Sequence, residues 1–380
     1  MKYFMATTKQ SGKLNNQTTG SKFPTPNARI NQEDSLSHNT QRRSEQAGIF
    51  HFFREMGSAL IMALIAIVYV IQAFKIPTPS MEKSLLVGDF LLGLKFIYGA
   101  PLVPFALDLG ISKRFPAISD PKPGDVVIFK YPGLEKKDYI KRCVAGPGSV
   151  VEVVNEKLFV DGKELVRPPQ GYNMRQGQLG DYVTHFKPLR IPKKGDLLHV
   201  ADLPTREFLF CKQLIHQENP RAKVRAAYQL YLDGTFANNE TFSIINPNSG
   251  RRIDVPFSRI DFNTDDWTQL EHMILNIKSR FPGREVEIRK MLYLNDKQID
   301  EYKVRFDNYF MMGDNRDNSA DSRFWGYLNR NYVKAKAFIL YFSLDKDTPY
   351  WQLPLKIRWN RIGKLIRSWD GMPAQGAAAN

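Results

Sequence analysis

The chain has 380 residues, a formal net charge of +15, two cysteines and six histidines. That length admits one anchored domain with a large insertion or two small domains, and Cys143 and Cys211 alone give no zinc spacing and no disulfide framework, leaving open a single bridge between them. The positive balance asks for an anionic neighbour, and an apolar run early in the sequence makes that neighbour lipid headgroups rather than nucleic acid.

Residues 1–54 are rich in Asn, Gln, Ser and Thr through position 50 and poor in large apolar side chains, so they read as a disordered tail. Met56–Phe74, MGSALIMALIAIVYVIQAF, is almost unbroken apolar sequence. At 1.5 Å rise per residue such a run just crosses the roughly 30 Å core of a bilayer. The expectation is an anchor over 55–75, too far from the N-terminus for a cleavable signal peptide. Lys2, Lys9, Lys13, Lys22, Arg29, Arg42, Arg43 and Arg54 before it, against Glu33, Asp34 and Glu45, put the N-terminus in the cytoplasm and the remainder outside a cell membrane crossed once.

Pro77 and Pro79 then forbid a helix and predict an extended segment holding Ser80 at the membrane surface. Beyond it the periodicity is mainly that of strands. Leu85–Ile97 carries a Gly88-Asp89 turn, Val126–Phe129 follows Pro123-Gly124-Asp125, and Tyr139–Ala145 ends at Gly146-Pro147-Gly148. Val150–Val154 and Lys157–Val160 form a hairpin about Asn155-Glu156. Phe96–Leu109 is apolar but broken by Pro101 and Pro104 and predicts a hydrophobic loop, not a second span. Residues 166–290 are charged and proline-dotted, with one helix predicted at Trp267–Arg280, and read as an inserted cap between core halves at 76–165 and 291–345. Strands resume at Met291–Leu294, Tyr309–Met312 and Ala335–Phe342. In the tail, 346–380, Leu355, Trp359, Ile362, Leu365, Ile366 and Trp369 recur at helical spacing among Lys356, Arg358, Arg361, Lys364 and Arg367. This predicts an amphipathic helix, lying on lipid or on the protein itself.

Ser80 needs a base to act as a nucleophile, and none of the scattered histidines is placed to serve. A lysine serves when burial keeps it neutral. Lys141 lies between Tyr139, Ile140 and Val144 in a predicted strand, although Lys141-Arg142 also reads as a basic pair on a solvated edge.

Four stretches together, Pro77-Thr78-Pro79-Ser80-Met81, Gly124-Asp125, Tyr139-Ile140-Lys141-Arg142 and GDNRDNSADSRFWG at Gly313–Gly326, resemble the boxes of type I signal peptidase, or leader peptidase. The resemblance covers roughly Phe74–Lys163 and Lys290–Phe342. It implies a mainly β fold, with a core of coiled sheets and an inserted cap. It also implies a serine endopeptidase that removes signal peptides from exported preproteins after small residues of Ala-x-Ala type, without metal or cofactor. Ser80 matches the nucleophile and Lys141 the general base. Thr78 matches the hydroxyl that joins the Ser80 N–H in the oxyanion hole, and Ser319 the residue that orients the lysine. Asp321 and Arg323 match a supporting pair, and Asp314 a further structural residue. Phe74, Ile76, Met81, Leu85, Tyr139 and Ile140 would line the substrate pockets. The sequence departs from the family at Glu82-Lys83-Ser84-Leu85, where a proline is usual, and at Ser149, where an aspartate is usual. A self-cleaving Ser/Lys repressor lacks an anchor, and an inactive membrane-tethered binding protein of the same fold is the alternative reading.

Overall fold

The computed structural model describes residues 51–103, 113–133, 137–166, 185–245 and 252–369. The expected disordered tail up to residue 50 and most of the second half of the Phe96–Leu109 loop lie outside these residues. The chain divides into two units, residues 1–64 and residues 65–380.

Helix α1 runs His51–Val70 and is long and apolar enough to cross a membrane. It stops short of the expected end at Phe74. Its last turn widens over Ala66–Val70, and Ile71–Lys75 becomes strand β1. The cause is a run of β-branched and aromatic residues meeting a sheet edge that needs a partner. β1 pairs antiparallel with β2 (Asp89–Leu94), Phe74 opposite Leu91. The Lys95 ammonium donates to the carbonyls of Ile67 and Val68, closing orphan acceptors at the helix end.

The remaining strands are β3 (Val126–Lys130), β4 (Asp138–Ala145), β5 (Val150–Val154), β6 (Lys157–Val160), β7 (Lys163–Glu164), β8 (Phe186–Arg190), β9 (Leu197–His199), β10 (Val224–Leu232), β11 (Thr235–Phe236), β12 (Thr241–Ile245), β13 (Arg252–Pro256), β14 (Val286–Leu294), β15 (Lys297–Ile299), β16 (Glu301–Lys303), β17 (Asn308–Met312), β18 (Leu328–Asn329) and β19 (Val333–Ser343). Helices α2 (Thr205–Glu218), α3 (Trp267–Lys278), α4 (Ser322–Trp325) and α5 (Leu353–Lys356) complete them. The fold is mainly β. A seven-stranded antiparallel sheet ordered β1-β2-β19-β3-β4-β17-β18 holds or borders the four stretches singled out in the sequence. Shifts of register within β19 and β17 bend it, as bulges do. A second sheet, β7-β6-β5-β8, contains the predicted hairpin, with Asn155 and Glu156 at positive φ.

The stretch expected as a cap is tied into this frame. Its β8 pairs with β5, and β14 runs without a break across residues 290 and 291. It also holds α2, which no reading of the sequence anticipated. Arg206, Phe208, Leu209, Phe210, Cys211, Leu214, Ile215, Gln217 and Glu218 of α2 are all buried, so this helix has no broad polar face to give it a periodicity. One hydrophobic cluster joins Val144, Phe310 and Tyr327 of the frame to Phe210, Leu214, Trp267 and Leu270 of the insertion. Cys143 and Cys211 are buried free thiols.

The tail is not the amphipathic helix expected. Among the described residues of the tail only Leu353–Lys356 is α-helical, Trp359–Arg361 is one tight turn, and Gly363 has φ 80°. From there the chain is extended along the half of β19 that β3 leaves uncovered. Gly363 N–H donates to the Leu340 carbonyl, Leu340 N–H to Lys364, and Ile366 N–H to Phe338. A free strand edge satisfied by the tail outweighs the helical spacing of the side chains.

Candidate active site

Ser80 does not lie in an extended segment but in a single 3₁₀ turn, Pro79–Met81, with Thr78 extended before it. Proline at the first position of a turn has no N–H to lose and a preset φ. The turn is held from outside by Asn315, whose N–H donates to the Ser80 carbonyl (3.1 Å) and whose Nδ2 donates to the Pro79 carbonyl (3.2 Å). Lys141 reaches the turn from the middle of β4. Its Nζ lies 2.5 Å from Ser80 Oγ, and the two residues are only 4% and 8% exposed. The solvated-edge reading of Lys141-Arg142 is overturned, since both are buried.

Burial lowers the Lys141 pKa to about 8, against the opposing pull of the Asp321 and Asp314 carboxylates. Tyr139 sits with its ring 5.4 Å from the same ammonium. Thr78 Oγ1 is 3.4 Å from Ser80 Oγ. A cleft of ≈ 580 Å³ opens over the pair, lined among others by Phe74, Ile76, Met81, Tyr139, Ile140 and Asn318. A hydroxyl, an amine that burial makes easier to deprotonate and an apolar trough of this size can together perform acyl transfer on an extended chain.

The sequence matches the family described as signal peptidase, peptidase S26, over residues 49–203 and 189–342. The chain belongs to that family. Among curated relatives it is 26% identical over 337 residues to a signal peptidase I of Helicobacter pylori, covering 85% of this chain and 94% of that one. It is 27% identical over 281 residues to a signal peptidase I of Aquifex aeolicus, covering 72% and 77%. Among solved structures, a signal peptidase I of Enterococcus faecalis matches at 12% identity over 57% of this chain and 97% of that one, with a TM-score of 0.19.

In this signal peptidase family member two buried ion pairs frame the Ser80–Lys141 contact. Asp321 accepts from Arg323 Nε and Nη2, both at 2.9 Å, and from the Gly313 N–H at 3.1 Å. Burial alone would raise its pKa, but the Arg323 guanidinium and these hydrogen bonds hold it below the usual carboxylate value. Asp314 forms a two-pronged pair with Arg142, 2.8 and 2.7 Å, and Arg142 also donates to the Gly124 carbonyl. Asp314 thus locks the strand carrying Lys141 to the loop after β17. Gly313 is obligatory for packing here: a Cβ on it would meet Ser319 Oγ at 2.2 Å and the Ser80 carbonyl at 2.5 Å.

Two expectations are placed differently. Ser319 is buried against Gly313, but its hydroxyl has no hydrogen-bond partner among the described residues, because the Lys141 amine is turned to Ser80. Leu85 is not in the cleft wall. It is buried behind it, packed in one cluster with Phe74, Ile76 and Met81. Asn315, Arg142 and the cleft residues Asn318 and Ala320 were not singled out as site residues from the sequence. Asn315 and Asn318 lie inside the same box as Ser319, and only the fold reveals that the first clasps the nucleophile turn.

Proposed function

We propose that the chain cleaves signal peptides from exported preproteins by a Ser80/Lys141 dyad. The observation that carries this reading is the 2.5 Å approach of the Lys141 amine to the Ser80 hydroxyl in a buried site. Neutral Lys141 takes the Ser80 proton as the oxygen attacks the scissile carbonyl, then delivers it to the leaving amine, and later activates water for deacylation. The Ser80 N–H and the Thr78 hydroxyl stabilise the oxyanion. Ser319 steadies the amine once Ser80 is acylated and no longer accepts from it. The substrate lies extended between Pro77–Pro79 and Asp138–Ile140, pairing as a strand. Side chains at the first and third positions before the cut enter walls made by Phe74, Ile76, Met81, Tyr139 and Ile140, where only small residues fit without forcing the packing apart. The helix α1 spans the cell membrane once, with its N-terminal side in the cytoplasm.

The test is processing of a preprotein across pH. Below its pKa the lysine is charged and cannot accept the Ser80 proton. With a pKa near 8, about a tenth of the protein is competent at pH 7, so kcat/KM should climb about tenfold from pH 7 and level off above pH 8–9. A profile flat from pH 6 to 9 refutes lysine as the base.

Anionic lipid is the second partner proposed. Tyr350, Trp351, Leu355 and Trp359 stand in solvent, Trp351 83% and Leu355 76% exposed, beside a basic tail. Aromatic and apolar side chains flanked by cations suit a bilayer interface. Replacing Trp351 and Trp359 by serine should lower binding to anionic vesicles about tenfold in a protein lacking residues 1–64. Cleavage of a short soluble peptide should stay unchanged. Vesicle binding equal to the parent refutes this contact.

A further inference from the structure

The insertion reaches the catalytic loop from behind at four points. Trp267, the first residue of α3 and 6% exposed, donates its indole N–H to the Arg323 carbonyl at 2.9 Å. Gln217 of α2 donates to the Tyr327 carbonyl (2.8 Å) and accepts from the Asn329 N–H (2.9 Å). Phe210 of α2 lies against Gly326, which has φ 83° and where a Cβ would meet the Phe210 ring at 2.7 Å. Phe210 also packs edge-on to Tyr327. These contacts hold residues 323–329, the stretch directly after Ser319–Arg323. Forward from Arg323 the connection continues through its two-pronged pair with Asp321, then the Asp321 bond to the Gly313 N–H, to the point where Gly313 touches Ser319 and the Ser80 carbonyl.

We propose that Trp267 is a positioning residue for the reaction. Its indole N–H, with Gln217 as a second pin, fixes the Arg323–Asp321 pair and so the loop that seats Ser319 and Gly313 against the nucleophile turn. The insertion is therefore part of what makes the dyad competent and not only a cover over the core. This rests on the Ser80/Lys141 reading. Geometry of this kind acts on turnover more than on binding, because most of the cleft wall comes from β1, the Ser80 turn and β4, with Asn318 and Ala320 added by the loop that Trp267 pins.

The experiment uses the full chain in detergent, cleaving a preprotein at a temperature well below the lowest Tm in the set. Trp267→Phe keeps a ring and removes the donor. It should lower kcat on the order of 10- to 100-fold with KM within about twofold. On an Asp321→Asn background, where the connection is already broken, it should lower kcat no further. Leu270→Ala, a fully buried truncation in the same helix, should lower Tm at least as much while leaving kcat near the parent. If Trp267→Phe does not fold, Gln217→Met carries the same test, with a smaller loss in kcat that also vanishes on the Asp321→Asn background. Multiplying losses in the double variant, a kcat within about twofold of the parent, or an equal loss of kcat in Leu270→Ala would each overturn the proposal. Turnover retained by Ser80→Ala would instead refute the dyad itself, whatever Trp267 does.

Discussion

Ser80→Ala and Lys141→Met are each expected to abolish preprotein cleavage in a protein that remains folded, and the double variant should be no worse than either single one. In the proposed dyad each residue supplies half of one proton transfer, so removing either forfeits the whole of it, on the order of 10⁴-fold or more in kcat. The lysine variant carries a second signature in stability. Lys141 has a folded pKa of about 8 against an ordinary 10.5. Between those values the unfolded chain binds the proton and the folded one does not, so stability rises with pH there. Below pH 8 the charged amine is buried at full cost, on the order of 3 kcal/mol from the 2.5-unit difference. A methionine of similar length removes that cost. Lys141→Met should therefore be inactive and yet melt no lower than the parent at pH 7, with the gap closing as pH climbs towards 10. An inactive variant that also melts well below the parent at pH 7 would mean that the amine is structural, and measurable turnover would remove it from the mechanism.

Arg361→Ala is expected to destabilise the fold by about 3–5 kcal/mol, enough to lower Tm on the order of 10 °C. Asp89 is wholly buried at the start of β2 and accepts from Arg361 Nε (3.0 Å) and Nη2 (2.6 Å), from Ser343 Oγ (2.7 Å) and from the Leu86 N–H (2.7 Å). Removing the guanidinium leaves a carboxylate in the core with Arg358 at 3.8 Å as its remaining cation. A second buried carboxylate holds the tail further on: Asp125 accepts from Ser368 Oγ, Lys336 Nζ and the Tyr98 hydroxyl. Deleting residues 353–380 removes both attachments and the strand pairing along β19, so that variant should fail to fold, not merely lose its hold on lipid. Thermal melting of both variants checks this. A truncated protein with parental Tm would refute it.

How much of this could be read in the sequence differs by region for physical reasons. Strands β5 and β6 were readable because a half-buried antiparallel pair imposes alternation and the Asn155-Glu156 turn matches its hairpin, whereas β3, buried along Val126–Phe129, was readable as a short apolar run after a turn. The end of α1 was not, because Ile71–Phe74 is as apolar as the helix before it and only the edge of β2 decides its conformation. Helix α2 went unseen since burial on nearly every side erases the polar face that betrays a helix. The tail misled because side-chain spacing is blind to an unpaired strand elsewhere in the chain. For the site, Ser80 and Lys141 were legible as residue types in local context. That 61 positions of separation collapse to one hydrogen bond, and that Asn315 clasps the nucleophile turn, are properties of the sheet order, which no local pattern encodes.

The passage from α1 into β1 sets a length scale. Nine residues, Ile71 to Pro79, separate the helix end from Ser80, and the first five are locked to β2. Drawn out fully, that connection reaches at most about 35 Å. If α1 spans the bilayer as proposed, the scissile bond is offered no farther than this from the hydrocarbon. On that reading substrates are sorted by how far their own apolar segment lies from the cut, as by a gauge block, before any side chain is tested in the cleft.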